Sequence, residues 1–383
     1  MGPLTGIKII EIAGIGPGPC AGMMLADLGA EVIVIERKNL NLNAAINVND
    51  DDVKHLVFNR GKKSIALNLK CPEAIELVLK LLSAADVLIE GFRPGVMERL
   101  GLGPDVCLRC NSALVYGRMT GWGQTGPLAQ TAGHDPNYIA VSGALWYGGS
   151  SDRPPTAPLS LVGDLGGGTM VFLLGILSAV IHSQKTGEGQ IIDAAITDGS
   201  AYISSLLRMM HSVGQVDDEL GKGWADWGSP WNDTYKCADG KFITVCALEP
   251  QFYHELLQRL SLTDNEIFSN QWDTTQWPMG KEVLKICFAS KSRQQWCEIL
   301  EGTDVCFGPV MNMSEAPLHP HNVARKTFIE LNGVVQAAPA PKFSHTKPTA
   351  GLPPRPGEHA VEILQALGLD EIAIENLKSS GAM

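Results

Sequence analysis

Short apolar runs alternate with amphipathic segments along the first 120 residues. Apolar, β-branched runs typical of buried strands lie at residues 8–12, 31–35, 64–69, 87–90 and 113–118. Residues 20–28 and 72–83 carry apolar positions at helical spacing, and Gly29 ends the first of these segments. This βαβ alternation predicts a mostly parallel sheet covered by helices.

The next segments continue the pattern. A helix is predicted from Pro136 to Ser142, with Asp135 as its N-cap. The uncharged segment 165–182 approaches the length of a membrane span, but it opens with three glycines, and a buried core helix is the favoured interpretation. A strand at 190–195 and a helix at 200–212 follow.

The composition changes at residues 214–232, which are rich in Gly, Asp and Trp. The elements predicted beyond this point are a strand at 241–246, helices at 251–260, 280–290 and 292–300, and a last helix at about 357–367. We therefore predict an α/β fold with two domains. A Rossmann-like parallel-sheet large domain covers residues 1–213 and 325–383, and a smaller α+β domain covers residues 214–324.

Composition narrows the classes of function. The 383 residues are 45% hydrophobic and 19% charged, as in an ordinary globular protein. The net charge of −11 argues against a nucleic-acid or membrane-surface partner. The odd, scattered set of nine cysteines predicts reduced thiols in the cytoplasm or an organellar matrix. Cys107 and Cys110 have CxxC spacing without a second pair nearby, so no metal site is predicted.

The turn after the first strand, residues 14–19, superficially matches a dinucleotide-binding fingerprint. Pro19 stands where that fingerprint requires glycine, and Pro17 and Pro19 remove two amide donors that would hold a pyrophosphate. A rigid strand-to-helix turn is the better interpretation.

Three proton-accepting side chains next to Gly or Pro are candidates for chemistry: His134, Asp164 and Glu249. Two bases in one pocket could remove a proton from one face of a carbon beside a carbonyl and return one to the other face. For His134 alone a hydrogen-bonded structural histidine is the default interpretation, but the helix N-terminus beside it favours a role in chemistry, since free backbone N–H groups there could stabilise an oxyanion. Asp164 could equally be a helix N-cap, and Glu249 alone is uninformative.

Three basic residues, Arg37, Lys62 and Arg93, fall near predicted strand ends. Ligands in open α/β sheets bind outside the carboxyl ends of the strands, so these residues could contact a phosphorylated ligand. Their spacing is also that of a solvated surface.

Several motifs together resemble the family III CoA-transferase (CaiB/BaiF) superfamily nearly end to end. They lie at residues 16–19, 25–32, 59–64, 91–96 and 187–190. Within that superfamily, residues 133–138 and 248–252 resemble the α-methylacyl-CoA racemase branch.

The resemblance implies a racemase that interconverts (R)- and (S)-2-methylacyl-CoA through an enolate. His134, assisted by Glu249, matches the base for one face of the α-carbon, and Asp164 matches the base for the other. The backbone amide of Asp135, at the start of the helix, is expected to hold the enolate oxygen.

The resemblance also implies how CoA is bound. Arg37 matches a contact to the nucleotide, and Lys62 and Arg93 are weaker candidates. The adenine-side strand matches Ala66, Leu67, Asn68 and Leu69, and the loop around the thioester matches Gly133, His134, Asp135, Pro136, Asn137 and Tyr138. No metal and no cofactor other than the CoA of the substrate is expected. An interlocked homodimer is implied.

Two rival functions remain open. In the CoA-transferases of this superfamily, the aspartate at position 164 is the nucleophile and the histidine is generally absent, so His134 discriminates between the two activities. A non-catalytic acyl-CoA-binding protein is the second rival. The loop predicted at residues 40–52 departs from the shorter family pattern, which affects the nucleotide contacts nearby.

Overall fold

The computed structural model describes residues 1–37, 50–150 and 154–383, with the side chains of residues 50–52 not described. The predicted loop at 40–52 therefore lies mostly outside the described residues. The chain forms two compact units. The large unit comprises Met1–Ser142, Pro158–Ile203 and Lys326–Met383, and the small unit comprises Gly143–Ala157 and Ser204–Arg325. Residues 143–157 and 204–213, assigned to the large domain from sequence, group with the small unit.

A six-stranded parallel sheet forms the centre of the large unit. Its strands are β1 (Lys8–Ile12), β2 (Glu31–Arg37), β3 (Lys63–Leu67), β4 (Val87–Glu90), β5 (Val115–Thr120) and β6 (Gln190–Ala195), in the order β3-β2-β1-β4-β5-β6. The predicted α/β fold with a mostly parallel sheet is confirmed. The strand order reverses between β1 and β4, and a crevice opens at such a point outside the strand ends.

Both faces of this sheet are covered. Between Pro17 and Ile203 the α-helices of the large unit are α1 (Pro17–Asp27), α2 (Pro72–Leu82), α3 (Val96–Arg99), α4 (Pro104–Cys110), α5 (Asp135–Ser142), α6 (Val171–Thr186) and α7 (Ile196–Ile203). Ile9 and Ile10 are both fully buried, but they belong to two different core clusters. Successive strand residues point to opposite faces, so a strand covered on both sides is continuously apolar.

A π-helical segment, Leu161–Met170, precedes α6 directly. Leu161–Thr186 is the one helix of the described chain that could cross a membrane by length and composition, although core helices of soluble proteins pass the same test. Phe172 and Ile176 of α6 are buried in a core cluster against the sheet.

The C-terminal part of the large unit differs from the prediction. It contains the hairpin β10 (Phe328–Leu331) and β11 (Val334–Ala337), followed by α13 (Ala360–Ala366) and α14 (Glu371–Ser379). The predicted last helix at 357–367 is not the last. In α14 the Asp370 side chain accepts the N–H of Ala373, and Ile374 is buried in the core.

The small unit is a three-stranded antiparallel sheet with helices. Its elements are α8 (Ser205–Ser212), β7 (Asn232–Lys236), β8 (Phe242–Cys246), α9 (Pro250–Arg259), α10 (Trp277–Phe288), α11 (Arg293–Leu300), β9 (Phe307–Val310) and α12 (Pro320–Arg325). Trp231, Phe288 and Trp296 fill its core. The single helix predicted at 200–212 is wrong, because Ser204 separates α7 from α8.

A buried ion pair fixes α1 to the sheet and corrects one prediction. The Lys62 ammonium lies 2.7 Å from the Glu11 carboxylate and donates to the carbonyl of Pro19, and its side chain has no exposed surface. Burial raises the pKa of Glu11, while Lys62 opposes the rise. Lys62 is therefore not free to contact a CoA phosphate, and its prediction as a binding residue was wrong.

We predict that Lys62→Met lowers the free energy of unfolding by about 3–5 kcal/mol, because Glu11 would remain as an uncompensated buried carboxylate. Urea denaturation followed by circular dichroism measures the change. Lys63→Met is the matched control, since Lys63 is 35% exposed and pairs with the exposed Glu31 and Glu362, contacts worth about 0–1 kcal/mol. Equal effects of the two substitutions would contradict a structural role for the Lys62–Glu11 pair.

Candidate active site

An inner cavity of about 190 Å³ opens at the carboxyl ends of β1, β4 and β5. Its lining includes Gly16, Gly91, Thr120, His134, Tyr138 and Asp164. The strand order reverses at this place, so the cavity occupies the position where open α/β sheets bind their ligands. Two of the three candidate bases, His134 and Asp164, thus line one cavity.

His134 immediately precedes α5 and is exposed. Its backbone N–H is accepted by the Asn137 side chain at 3.0 Å, and its carbonyl accepts the N–H of Asn137 at 2.8 Å. These bonds hold the turn while leaving the imidazole at the cavity wall. His134 is therefore not a buried structural histidine.

Tyr138 forms another part of the same wall. Its hydroxyl donates to the carbonyl of Gly133, and its ring meets that of Trp122 edge-on at 4.8 Å between centroids. A side chain at Gly133 would collide with the Tyr138 ring and make a tight contact with the Trp122 ring. The predicted thioester loop, residues 133–138, therefore folds around a fixed aromatic side chain.

Asp164 lies inside the π-helical segment, and the alternative that it is an N-cap was wrong. Its carboxylate accepts the Ser160 hydroxyl at 3.0 Å. Burial raises the pKa of Asp164, and the negative charge of Asp135 adds to the rise. The Ser160 hydrogen bond and the neighbouring His134 act in the opposite direction. Half-buried carboxyls with raised pKa are suited to proton transfer.

Asp135 is 2% exposed and connects the two sides of the site. Its Oδ1 accepts the backbone N–H of Asp164 at 2.8 Å. Among the described residues the backbone N–H of Asp135 itself donates no hydrogen bond. A free amide at the start of a helix, next to His134, can hold a developing negative charge.

An outer cavity of about 410 Å³ adjoins the inner one and shares Gly14, Ile15, Gly16, Pro19 and Asp164 with it. Its further lining includes Glu11, Glu36, His55, Phe58, Asn59 and Ser160. The sequence analysis missed His55 and Ser160. Ser160 lies four residues before Asp164, directly before the π-helical segment, and this closeness in the chain was a signal.

Comparisons with known proteins decide the family. The sequence profile of CoA-transferase family III matches residues 4–360. This chain belongs to CoA-transferase family III. It is 40% identical over 379 residues to α-methylacyl-CoA racemases of Mus musculus and Homo sapiens, covering 98% of this chain and 96% of each of theirs.

Other members of the family are also similar to this chain. A succinyl-CoA:glutarate CoA-transferase of Homo sapiens is 30% identical over 402 residues, covering 100% of this chain and 90% of that one. The crystal structure of a CAIB/BAIF family protein from Brucella suis has a TM-score of 0.83 and 26% identity, covering 96% and 99%. The predicted family is confirmed, and with it the prediction that the chain is an enzyme.

The residues predicted to bind CoA divide into exposed and buried side chains in this family III enzyme. Arg37 ends β2 with an exposed side chain, and Arg93 is exposed after β4. Leu67 is fully buried in a core cluster, so only its backbone could contact the adenine, and its place in the adenine-side strand stays a prediction.

The other predicted adenine-side residues are at least partly accessible. Ala66, Asn68 and Leu69 are half-buried. The Asn68 amide donates to Cys71 Sγ at 3.1 Å, and its backbone N–H donates to the carbonyl of Ala382 at 2.8 Å. The C-terminal residues therefore border this strand.

Glu249 lies in the small unit, where it is exposed at the residue before α9. Its assistance to His134 stays a prediction. Among the described residues, no cluster of three or more His, Cys, Asp or Glu side chains could hold a metal ion.

We predict that Ser160→Ala raises the pKa of Asp164 further, because the hydroxyl that stabilises the charged carboxylate is lost. The measurement is a ¹³C NMR titration of aspartate carboxyl carbons, with Asp164 assigned by the signal missing from Asp164→Asn. Ser83→Ala is the control, since Ser83 is exposed and its hydroxyl donates to the carbonyl of Lys80 on α2. An unchanged Asp164 titration would show that the hydrogen bond has no influence.

Proposed function

We propose that this family III enzyme is a racemase of 2-methylacyl-CoA thioesters. The observation that carries the proposal is that two proton-accepting side chains, His134 and Asp164, line one cavity at the sheet's switch point. The 40% identity to α-methylacyl-CoA racemases over nearly the whole chain supports it.

The chemistry requires two proton transfers. The thioester carbonyl acidifies the α-hydrogen, and one base removes it to give an enolate. The second group, already protonated, returns a proton to the opposite face, so that no net proton is consumed. The raised pKa of Asp164 brings its carboxyl closer to the range where it can both accept and donate near neutral pH.

The enolate oxygen needs a hydrogen-bond donor. The backbone N–H of Asp135, adjacent to His134, is the donor that we propose, because preorganised amides stabilise charge developing in a transition state. Glu249 is proposed to orient His134 and to stabilise its imidazolium form. No cofactor beyond the CoA of the substrate enters this scheme.

The interlocked homodimer also stays a prediction. In the single chain, large apolar side chains are exposed on α6, β6 and α7: Leu174, Ile181, Ile191 and Tyr202. Exposed apolar patches commonly mark contacts between proteins, which supports the assembly.

We predict that His134→Ala and Asp164→Asn each lower racemisation by about 10²–10⁴-fold, the usual loss for a positioned base. Each enantiomer of a 2-methylacyl-CoA is incubated separately, and formation of the opposite enantiomer, measured by chiral chromatography, gives the rate of racemisation. His182→Ala is the control, since His182 lies on α6, does not line either cavity and is exposed. A wild-type rate of racemisation in either active-site variant would remove that residue from the mechanism.

A CoA-transferase activity is the second candidate, because the 30% identical relative is named for one and Asp164 faces the cavity as a possible nucleophile. In that reaction the Asp164 carboxylate would attack the thioester carbonyl and release CoA thiolate, leaving an acyl anhydride. Hydroxylamine trapping separates the two functions. An Asp164 hydroxamate formed with acyl-CoA would support the transferase, and α-deuteration without an adduct would support the racemase. Binding without either outcome would indicate a non-catalytic acyl-CoA-binding protein.

We predict that Arg37→Ala raises the KM for acyl-CoA by about ten-fold, because one charge-assisted hydrogen bond to phosphate is worth roughly 1.5–3 kcal/mol. Steady-state kinetics should show little change in kcat, since the nucleotide end lies away from the reacting carbon. Arg109→Ala on α4 is the matched exposed control. A fall in kcat at constant KM would contradict the assignment of Arg37 to the nucleotide.

A further inference from the structure

We infer that the carboxylate of Asp135 is a positioning residue, which joins the backbone that carries His134 to the backbone that carries Asp164. The inference rests on the proposed function, and it concerns the side chain of Asp135 rather than its backbone amide.

The contact spans two separate segments of the chain. Asp135 follows His134 directly and begins α5, whereas Asp164 lies 29 residues later in the π-helical segment. Asp135 Oδ1 accepts the Asp164 N–H at 2.8 Å, and Asp135 is 2% exposed. A buried charge-assisted hydrogen bond between two backbones fixes their separation more firmly than an exposed contact would.

Gly163 shows how tightly the contact is packed. A Cβ on Gly163 would lie 2.2 Å from Asp135 Oδ1 and 2.9 Å from Ile139 Cγ2. The requirement for glycine is steric here. Any larger residue at position 163 would displace the Asp135 carboxylate from the Asp164 N–H.

The other end of the Asp164 peptide is also held. The hydroxyl of Thr169 donates to the Asp164 carbonyl at 3.1 Å and lies 3.2 Å from the Pro17 carbonyl at the start of α1. Thr169 is fully buried. With its N–H and its carbonyl both engaged, the backbone of Asp164 is restrained on both sides.

The Asp135 carboxylate has an electrostatic effect as well. The pKa of Asp164 is raised chiefly by burial and further by the charge of Asp135, while Ser160 and His134 lower it. The other titratable side chains that share a cavity lining with Asp164 are Tyr138, Glu11, Glu36 and His55. On the packed helices, α7 contributes the exposed Asp198 and α1 contributes the buried Cys20. Removing the Asp135 charge should therefore lower the pKa of Asp164.

Asp135→Asn and Asp135→Ala separate the geometric effect from the electrostatic one. The asparagine carbonyl can still accept the Asp164 N–H, so kcat should stay within a few-fold of the parent. In the reaction direction in which Asp164 removes the proton, the acidic limb of the pH profile of kcat/KM reports the pKa of Asp164. That limb should therefore move to lower pH in the asparagine variant. The alanine variant loses the acceptor, and kcat should fall by up to about 10²-fold with KM little changed, as expected for a misplaced catalytic group.

Gly163→Ala tests the same contact without changing a charge. It should lower kcat as Asp135→Ala does, yet keep the acidic limb close to that of the parent. Asp226→Asn is the matched control: Asp226 is 1% exposed in the small unit and accepts the N–H of Gly221 at 2.9 Å. This control should leave both kcat and the acidic limb unchanged. If replacing any buried aspartate had a general effect, the control would change as well.

Circular dichroism checks the folding of each variant. If both Asp135 variants fail to fold, the kcat of Gly163→Ala alone tests whether the Asp135–Asp164 contact positions the site. The inference is overturned if the parent exchanges its α-proton in D₂O while every folded variant of Asp135 and Gly163 shows the parent kcat and pH profile. A parent protein that exchanges no α-proton overturns the proposed function instead, so the two failures are distinguishable.

Discussion

The hydrogen bond from the Asp164 N–H to the buried Asp135 carboxylate is the contact on which the site depends. It joins the turn before α5 to the π-helical segment, and both segments contribute residues to the lining of the same cavity. His134 and Asp164 belong to two separate segments of the chain, and the bond connects these segments through Asp135, which lies 29 positions before Asp164. A restrained pair of proton-transfer groups is what a reaction on two faces of one carbon requires.

The sheet supplies the platform for this contact. The strand order reverses between β1 and β4. At this point the turn before α1, together with α1 itself, leaves space outside the strand ends. Beneath that turn, the Lys62–Glu11 pair is completely buried, and Gly22 on α1 leaves room for the Glu11 carboxylate. Breaking such a pair is costly, because one charge would remain buried without a partner. The floor of the site is therefore rigid, although it contains several charges.

The electrostatics of the site favour proton transfer at Asp164. Burial and the charge of Asp135 raise its pKa, and the hydroxyl of Ser160 and the nearby His134 limit the rise. A carboxylate in this environment can serve as a base or as a nucleophile. The distinction between racemisation and acyl transfer therefore depends on His134, the second proton-accepting side chain that lines the same cavity.

The sequence by itself determined the βαβ order, most strand positions and the candidate residues His134, Asp164 and Glu249. Local apolar periodicity and Gly/Pro turns encode these features, because they depend on residues close in the chain. The tertiary structure alone decided which of the candidate basic side chains are exposed. In the sequence, Lys62 and Arg37 are both basic residues near predicted strand ends. Lys62 is paired with Glu11, which lies 51 positions away in the chain. The Asp135–Asp164 contact is likewise long-range, and no local pattern encodes a hydrogen bond between distant segments.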